Sequence, residues 1–225
     1  MIMDKFLKRM AWLIIIAPNV YLAIVWNKMP QRIATHFDIN GNANKYGTKN
    51  EFLLFMGIMI LVSSGLYLLL TNVYRIDPKK YAADNKYRLQ RLAFAVVVFM
   101  AVVSFMVIYA GVNGEVHLNI RYVFAAMGLF WAIVGNYMHN IKPNYFAGFR
   151  LPWTLENEEN WRKTHLLAGK LWFVCGLLIT IICLIVPIKF VVICWLIILL
   201  PMLLIPTIYS YVLYKKQKTI NAVNR

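Results

Sequence analysis

NYFAGFRLPWTLENEENWRKTHLLAGKLW fills residues 144–172 and lies between two stretches of sequence that are suited only to lipid. A plain connection between two membrane helices needs turn residues, whereas this segment concentrates aromatic and charged side chains. Aromatic and basic residues gather where a membrane protein meets the headgroup region. The sequence therefore predicts a structured, aromatic-rich cap over residues 142–170 at one face of a membrane.

On both sides of this segment, the chain contains apolar runs without any Asp, Glu, Lys or Arg, six in all. They cover residues 10–27, 52–74, 92–114, 122–141, 171–188 and 190–214. Each run falls within the roughly 17 to 25 apolar residues that a spanning helix needs. Hydrophobic residues make up 61% of the chain and charged residues 15%, against roughly 25% charged in a soluble domain. We predict an all-α integral membrane protein with six transmembrane helices.

The segments that join these runs differ strongly in positive charge. With the amino terminus inside, 18 of the 24 Lys and Arg residues fall in cytoplasmic segments. Cytoplasmic loops of membrane proteins carry such an excess, so both termini and the cap are predicted to be cytoplasmic. The net charge of +15 then lies along anionic headgroups, which favours the lipid bilayer over nucleic acid as a partner.

The sequence divides into two predicted domains. Residues 1–74 form an amino-terminal two-helix domain whose external loop covers residues 28–51. Residues 75–225 form a four-helix region that carries the cap, 142–170. No linker between the apolar runs is long enough to separate soluble domains.

Within the cap, the pattern around Thr154 predicts a helix that runs directly into the fifth span. Thr154 is suited to cap that helix, because its hydroxyl can accept a hydrogen bond from a free backbone N–H. The glutamates that follow lie near the positive end of the helix. Glu158 and Arg162, and Glu159 and Lys163, are spaced four residues apart, as in helical ion pairs.

A second pattern in the cap is a stripe formed by Trp161, His165 and Trp172. Their spacing puts them on one face of a helix, where they would face either the bilayer surface or the inner mouth of the bundle. Such a cap either receives a partner protein and reports a change in the bundle, or only ties the fourth span to the fifth.

The external loop is predicted to be a compact hairpin. Asn40-Gly41 is a strong turn signal, and Pro30 favours an extended start.

His36 and Asp38 share the external face with Glu115 and His117, from the loop between spans three and four. These four side chains are low-ranking candidates for a zinc site, since zinc accepts imidazoles and carboxylates; the alternative is hydrogen-bonded loop residues, and we expect no metal or other cofactor.

Several classes of function lack their usual signals. No Asp, Glu, Lys, Arg or His lies deep in any predicted span, and such groups are how proton-coupled transporters and charged pores are built. Phosphate-binding glycine loops, nucleophile elbows and HExxH motifs are absent from the sequence. We therefore expect no enzyme and no transporter.

Two blocks of residues resemble the SdpI family of membrane proteins. The first block matches the signature of that family with ordered spacing: Asn144, Gly148, Arg150, Pro152, Trp153, Thr154, Trp161, Lys163, Thr164, His165 and Gly169. The second is similar to the amino-terminal domain of unknown function that accompanies the family: Pro30, Ile33, Thr35, His36, Phe37, Asp38, Gly41 and Lys49. The resemblance covers most of the chain.

The resemblance implies a bacterial plasma-membrane protein that gives immunity to a secreted toxic peptide. It also implies that the chain relays the presence of the peptide by capturing a transcriptional repressor at the cytoplasmic side. The toxic peptide would meet the external loop and the repressor would meet the cap. Two alternatives remain open: a metal-assisted membrane enzyme that uses the four zinc candidates at the outer face, and a small-molecule transporter.

This interpretation assigns two sets of candidate binding residues and no catalytic residue. The cap would bind a partner through Asn144, Gly148, Arg150, Pro152, Trp153, Thr154, Trp161, Lys163 and His165. The external loop would bind a peptide through Pro30, His36, Phe37, Asp38, Gly41 and Lys49.

Overall fold

The computed structural model describes residues 2–38, 42–113 and 120–223, most of them in long helices. The helices are α1 (Ile2–Val25), α2 (Lys49–Ile76), α3 (Lys86–Asn113), α4 (Ile120–Met138), α5 (Pro152–Glu156), α6 (Glu158–Ile185) and α7 (Ile188–Val223). A 3-10 turn, Trp26–Lys28, leads from α1 to two strands, β1 (Arg32–Phe37) and β2 (Ala43–Thr48).

Five helices of the described residues are long and apolar enough to cross a membrane: α1, α2, α3, α6 and α7. They confirm the prediction of a multi-pass membrane protein. The remaining predicted span, the fourth (residues 122–141), corresponds to α4, whose 19 residues give a length of about 28 Å, close to the roughly 30 Å of a hydrocarbon core. The count of six spans and the cytoplasmic placement of both termini stay predictions.

The two strands form an antiparallel hairpin within residues 28–51, where the sequence predicts one. Its turn, with Asn40 and Gly41, lies outside the described residues. Ile33 on β1 is fully buried and contacts Gly111 of α3, where an added methyl group would lie 3.3 Å from the Ile33 side chain. β2 passes into α2 without a linker, because Thr48 and Glu51 form a capping box at the start of the helix. The hairpin is therefore firmly attached to the bundle.

The closest helix pair in the bundle is α4 with α6, and small residues make it possible. A methyl group added at Gly135 would lie 2.5 Å from the backbone nitrogen of Phe173, and one at Gly128 would lie 2.8 Å from the carbonyl of Gly176. The small-residue face of α4 is thus buried against α6, as is common where membrane helices approach closely. The small residues of α2 differ from one another, since Ser63 is buried whereas Gly65 faces open space.

Buried residues on α1, α2, α3 and the hairpin form two apolar clusters. A third cluster joins α4, α6, α7 and the cap to Val73 of α2 and Leu89 of α3. Helix α3 packs against α1 and α2 and also against α4. The division into domains 1–74 and 75–225 remains a prediction. Because α2 begins at the hairpin and its 28 residues extend about 42 Å, its other end lies at the opposite end of the bundle.

Helix α7 contains Pro206, whose missing N–H leaves the carbonyl of Met202 without its helical donor. The indole nitrogen of Trp172 on α6 donates to that carbonyl at 2.7 Å. A membrane interior offers no water to satisfy a free backbone carbonyl. The tryptophan of the predicted stripe therefore compensates for the proline and joins α6 to α7.

Replacing Trp172 with phenylalanine is expected to lower the free energy of unfolding by about 1 kcal/mol, the scale of an interhelical hydrogen bond in a membrane. The loss should be smaller when Pro206 is also alanine, because the new backbone N–H can reach the Met202 carbonyl. A Pro201→Ala background is the matched control, since Pro201 does not free this carbonyl. Unfolding in mild detergent measures the loss caused by Trp172→Phe in the unaltered chain and in each proline variant. An equal loss in the Pro206→Ala and Pro201→Ala backgrounds would contradict this account.

Candidate functional site

The cap, residues 142–170, begins with a turn that is organised by one buried side chain. Asn144 is fully buried. Its amide oxygen accepts from the backbone nitrogens of Phe146 and Ala147, at 2.9 and 2.7 Å. Its amide nitrogen donates to the carbonyls of Lys142 and Ala147, at 2.9 and 3.1 Å. Asn144 thus uses both polar atoms within its own turn and shapes the cap from inside.

The centre of the cap is His165, which is 1% exposed. Its Nε2 accepts from the backbone nitrogen of Phe149 at 2.9 Å, so the ring proton lies on Nδ1, which donates to the carbonyl of Trp161 at 2.8 Å. The ring also stacks on the indole of Trp161 with centroids 3.9 Å apart. A neutral imidazole is the only form that fits both bonds, because the protonated ring has no acceptor.

Gly148 allows the chain to pass over this ring. Its φ of +110° lies in the region that glycine adopts at little cost, and an added Cβ would press against His165 Nε2. On the other side of the ring, Trp161 is 1% exposed and its indole nitrogen donates to the carbonyl of Ile141 at 2.8 Å. The predicted stripe on α6 therefore faces the bundle and the cap, and not the bilayer surface.

The predicted helix start at Thr154 is wrong. A separate short helix, α5, begins at Pro152, which is favoured at a first helical position. The Thr154 hydroxyl lies 2.6 Å from the carbonyl of Phe149 and accepts from the backbone nitrogen of Leu151 at 3.0 Å. Helix α6 is capped by Asn157, and it then runs without a break into the apolar segment, as predicted.

One of the two predicted ion pairs on α6 is present. Lys163 Nζ lies 2.7 Å from Glu159. Glu158 instead pairs with Lys80 at 2.8 Å, because the segment between α2 and α3 approaches the first turn of α6. Arg162 is exposed and forms no ion pair within residues 2–38, 42–113 and 120–223.

Trp153 joins the cap to α7. Its indole nitrogen donates to the hydroxyl of Ser210 at 3.0 Å, and its ring packs on Tyr211 and Tyr214, with centroids 5.4 and 5.9 Å away. Asn160 adds a second bond to the same place, because its amide donates to the carbonyl of Ser210 at 2.9 Å. The cap is therefore held to α7 as well as to α6.

Residues 77–85, which we call the latch, connect α2 to α3 and bind the cap. Asn85 is fully buried and pairs with the backbone of Lys142 in both directions, donating at 3.0 Å and accepting at 2.9 Å. Lys79 donates to the carbonyl of Leu155 at 2.8 Å. The latch is therefore docked on the cap.

The latch also carries an ionic contact at its surface. Glu158 accepts from the hydroxyl of Tyr81 at 2.7 Å beside its ion pair with Lys80. Hydrogen bonding to the Glu158 carboxylate, and then to Tyr81, raises the pKa of Lys80. Both ends of this pair are exposed, and exposed ion pairs contribute little to stability because water and salt screen them. The buried Asn85 contact therefore defines the register of the latch.

Between the latch and α6 lies a polar cleft of about 380 Å³. Tyr81, Lys142 and Arg162 line it, together with His139 and Glu158.

The predicted cap residues differ in exposure: Asn144, Thr154, Trp161 and His165 are buried, whereas Arg150 and Pro152 are exposed. Lys163 and Trp153 are half-buried. A partner can therefore touch only part of the predicted set, and the buried members position the rest.

At the other end of the bundle, the predicted external-loop residues have separate contacts. His36 is exposed, and its Nδ1 lies 2.6 Å from the amide oxygen of Asn44. Asp38 accepts from the backbone nitrogen of Asn42 at 2.9 Å. Lys49 donates to the carbonyl of Trp26 at 3.2 Å.

The remaining members of this set are less informative. Pro30 is half-buried. The side chain of Phe37 and all of Gly41 lie outside what the structure describes.

Only two of the four zinc candidates, His36 and Asp38, lie within the residues that the structure describes. Glu115 and His117 lie outside the described residues. Among the residues that are described, no three His, Cys, Asp or Glu side chains are grouped closely enough to hold a metal ion. The hydrogen bonds of His36 and Asp38 fit the alternative of an ordered loop.

Sequence reasoning missed four polar residues that hold the site together: Asn85, Asn157, Asn160 and Ser210. Asn85 and Asn157 each precede a helix, which is a recognisable capping signal. Asn160 and Ser210 are 50 residues apart, and no local pattern connects them.

Comparison with known proteins supports both blocks of the resemblance. Residues 140–212 match the SdpI/YfhL protein family, and residues 13–61 match a domain of unknown function, DUF1648. The chain is 23% identical to the Immunity protein SdpI of Bacillus subtilis (strain 168) over 193 residues, which cover 86% of this chain and 88% of that protein. No solved structure matches the chain significantly. The resemblance to the SdpI family is confirmed.

Proposed function

We propose that this membrane protein gives resistance to a secreted, membrane-active toxic peptide and relays its presence to a cytoplasmic transcriptional repressor. The observation that carries the proposal is the similarity to the Immunity protein SdpI along 86% of the chain. The match at the level of the family also supports a role other than catalysis. Neither alternative, a metal-assisted enzyme or a transporter, gains support from an arrangement of the described residues.

The hairpin is the proposed binding element for the toxic peptide. Tyr46 on β2 is exposed, and the guanidinium of Arg32 lies 5.8 Å from the centre of its ring. Leu53 and Leu54, at the start of α2, are exposed toward lipid directly beneath. A surface that is aromatic and basic above and apolar below suits an amphipathic peptide at the membrane surface. Binding there would keep the peptide from inserting elsewhere.

Helix α2 provides the connection to the cap. It starts at the hairpin through the Thr48 capping box and ends at Asp77, where the latch begins. The latch then holds the cap through Asn85, which bonds the backbone of Lys142. A shift of α2 on peptide binding would therefore move the latch against the cap. Asn85 is the contact through which we expect this movement to be transmitted.

The proposed docking surface for the repressor is the exposed part of the cap. Arg150 is exposed, and its guanidinium donates to the carbonyl of Tyr145 at 2.8 Å. Arg162 lies on the neighbouring surface, at the polar cleft. These cations favour an acidic patch on the partner. The buried His165 and Trp161 fix the shape of that surface without touching the partner.

A test uses two variants and two measurements in cells that carry a repressor-controlled reporter. Tyr46→Ala should reduce both survival under peptide challenge and the reporter response, since it alters the peptide contact. Asn85→Ala should preserve survival and reduce the reporter response, since it cuts the latch from the cap. Asp84→Ala is the matched control, because Asp84 is exposed beside Asn85.

The outcomes separate the two parts of the proposal. Equal survival with and without the protein, for every membrane-active peptide, would contradict immunity. If Asn85→Ala cells survive normally and their reporter response equals that of cells with the unaltered protein, the relay is contradicted and immunity is left in place. Membrane fractionation of each variant confirms that the protein is present.

A further inference from the structure

A lateral groove opens between α3, α4 and α6, away from both the hairpin and the polar cleft. It has a volume of about 550 Å³ and is largely apolar. Phe99 of α3 and Phe130 of α4 stack inside it, with ring centroids 4.4 Å apart. The groove is lined by residues of all three helices, among them Ala95, Val98, Val102, Leu129, Ile133 and Phe173.

The end of the groove nearest the latch is polar. Arg91, Asn136 and Tyr137 line it, and their side chains make no hydrogen bond or ion pair within the described ranges. Arg91 and Asn136 are also exposed. Arg91 lies five residues after the start of α3 at Lys86, which places it near headgroup depth in a spanning helix. The groove therefore combines an apolar channel with unsatisfied donors at one end.

Its length fits one leaflet. From Arg91 to Val102 the groove follows eleven residues of α3, about 17 Å at 1.5 Å per residue. One leaflet contributes about half of a hydrocarbon core that is roughly 30 Å thick. An acyl chain that enters along the groove would thus extend from the headgroup region to the middle of the bilayer.

We propose that the lateral groove binds an anionic phospholipid of the leaflet on the cap side, with one acyl chain along α3 and α4 and the phosphate at Arg91. A guanidinium binds phosphate oxygens through paired hydrogen bonds, and basic sites between membrane helices are known to hold anionic headgroups. Asn136 and Tyr137 supply further donors. A second copy of this chain is a poorer occupant, since a symmetric contact would bring two Arg91 side chains together.

The experiment measures lipid retained by the purified chain in nanodiscs that contain phosphatidylglycerol and phosphatidylcholine. Native mass spectrometry should show preferential retention of phosphatidylglycerol. Arg91→Gln should lower that retention about fivefold, the ratio that matches roughly 1 kcal/mol for one basic residue at an anionic surface. Arg88→Gln is the matched control, since it removes the same charge from the same helix outside the groove.

A second variant tests the apolar part. Val98 lies in the groove and is exposed, so Val98→Trp fills the channel without disturbing the core. It should lower the retention of both lipids. Equal losses for Arg91→Gln and Arg88→Gln, or full retention in Val98→Trp, would overturn the proposal, as would a stable dimer that excludes lipid from this face.

Discussion

Replacing Gly176 with alanine is expected to separate α4 from α6 and to destabilise the protein severely. The added methyl group would lie 2.6 Å from the carbonyl oxygen of Gly128 and 2.9 Å from the Cα of Ala132. Both are backbone atoms, so no side-chain rotation can relieve the overlap. Overpacking of this kind costs about 1–3 kcal/mol or more. The variant should have a lower Tm in mild detergent and a smaller folded fraction in the membrane.

The matched control for this prediction is Gly57→Ala on α2. An added Cβ at Gly57 meets no atom within 4 Å, and alanine is a better helix former than glycine by roughly 0.8–1.0 kcal/mol. This control should therefore leave the Tm unchanged or raise it. The same chemical change thus has opposite expected signs at the two sites. A loss at Gly57 as large as that at Gly176 would show that close helix approach is not the cause.

The close approach of α4 to α6 also matters for the cap. Gly169, four residues after His165, lies where an added methyl group would be 2.7 Å from the Cα of His139, the residue that follows the end of α4. The helix pair therefore holds together the two ends from which the cap is built. The Gly176→Ala substitution should therefore disturb the cap, although residue 176 lies outside residues 142–170.

The sequence predicted those elements that depend on local pattern. The apolar runs predicted the helices because burial in lipid requires about 20 consecutive apolar residues. The hairpin followed from the turn signal Asn40-Gly41. The resemblance located the residues of the cap, but not their roles. The sequence predicts that Trp161 and His165 face either the bilayer surface or the inner mouth of the bundle, and the structure shows that both side chains are buried in the core.

The contacts that the sequence could not predict join distant segments. Asn85 bonds Lys142 across 57 residues, and Trp153 bonds Ser210 across the same separation. Nothing in the neighbourhood of either residue shows its partner. The error at Thr154 has a local cause, since Pro152 starts a short helix of its own and draws the threonine into it. Hydropathy explains the spans, whereas long-range hydrogen bonds explain the cap.

The last prediction concerns Gly148, where alanine should loosen the cap. At a φ of +110°, a residue with a side chain bears about 1–3 kcal/mol of backbone strain. The new Cβ would also press on His165 Nε2, and that ring cannot turn away because it is bonded to the Trp161 carbonyl and stacked on the Trp161 indole. Trypsin should then cleave more rapidly after Arg150, in the same segment.

A double-mutant cycle with His165→Ala separates the two causes. Removing the ring relieves the overlap but leaves the backbone strain, so the double variant should lose less stability than the sum of the two single variants. Contacting residues usually show such a coupling of at least about 0.5 kcal/mol, whereas independent sites add. Additive losses would assign the whole effect to backbone strain at Gly148. A large coupling would instead show that the imidazole of His165 is the surface against which the glycine turn is fitted, and that the two residues occur together in the cap for this reason.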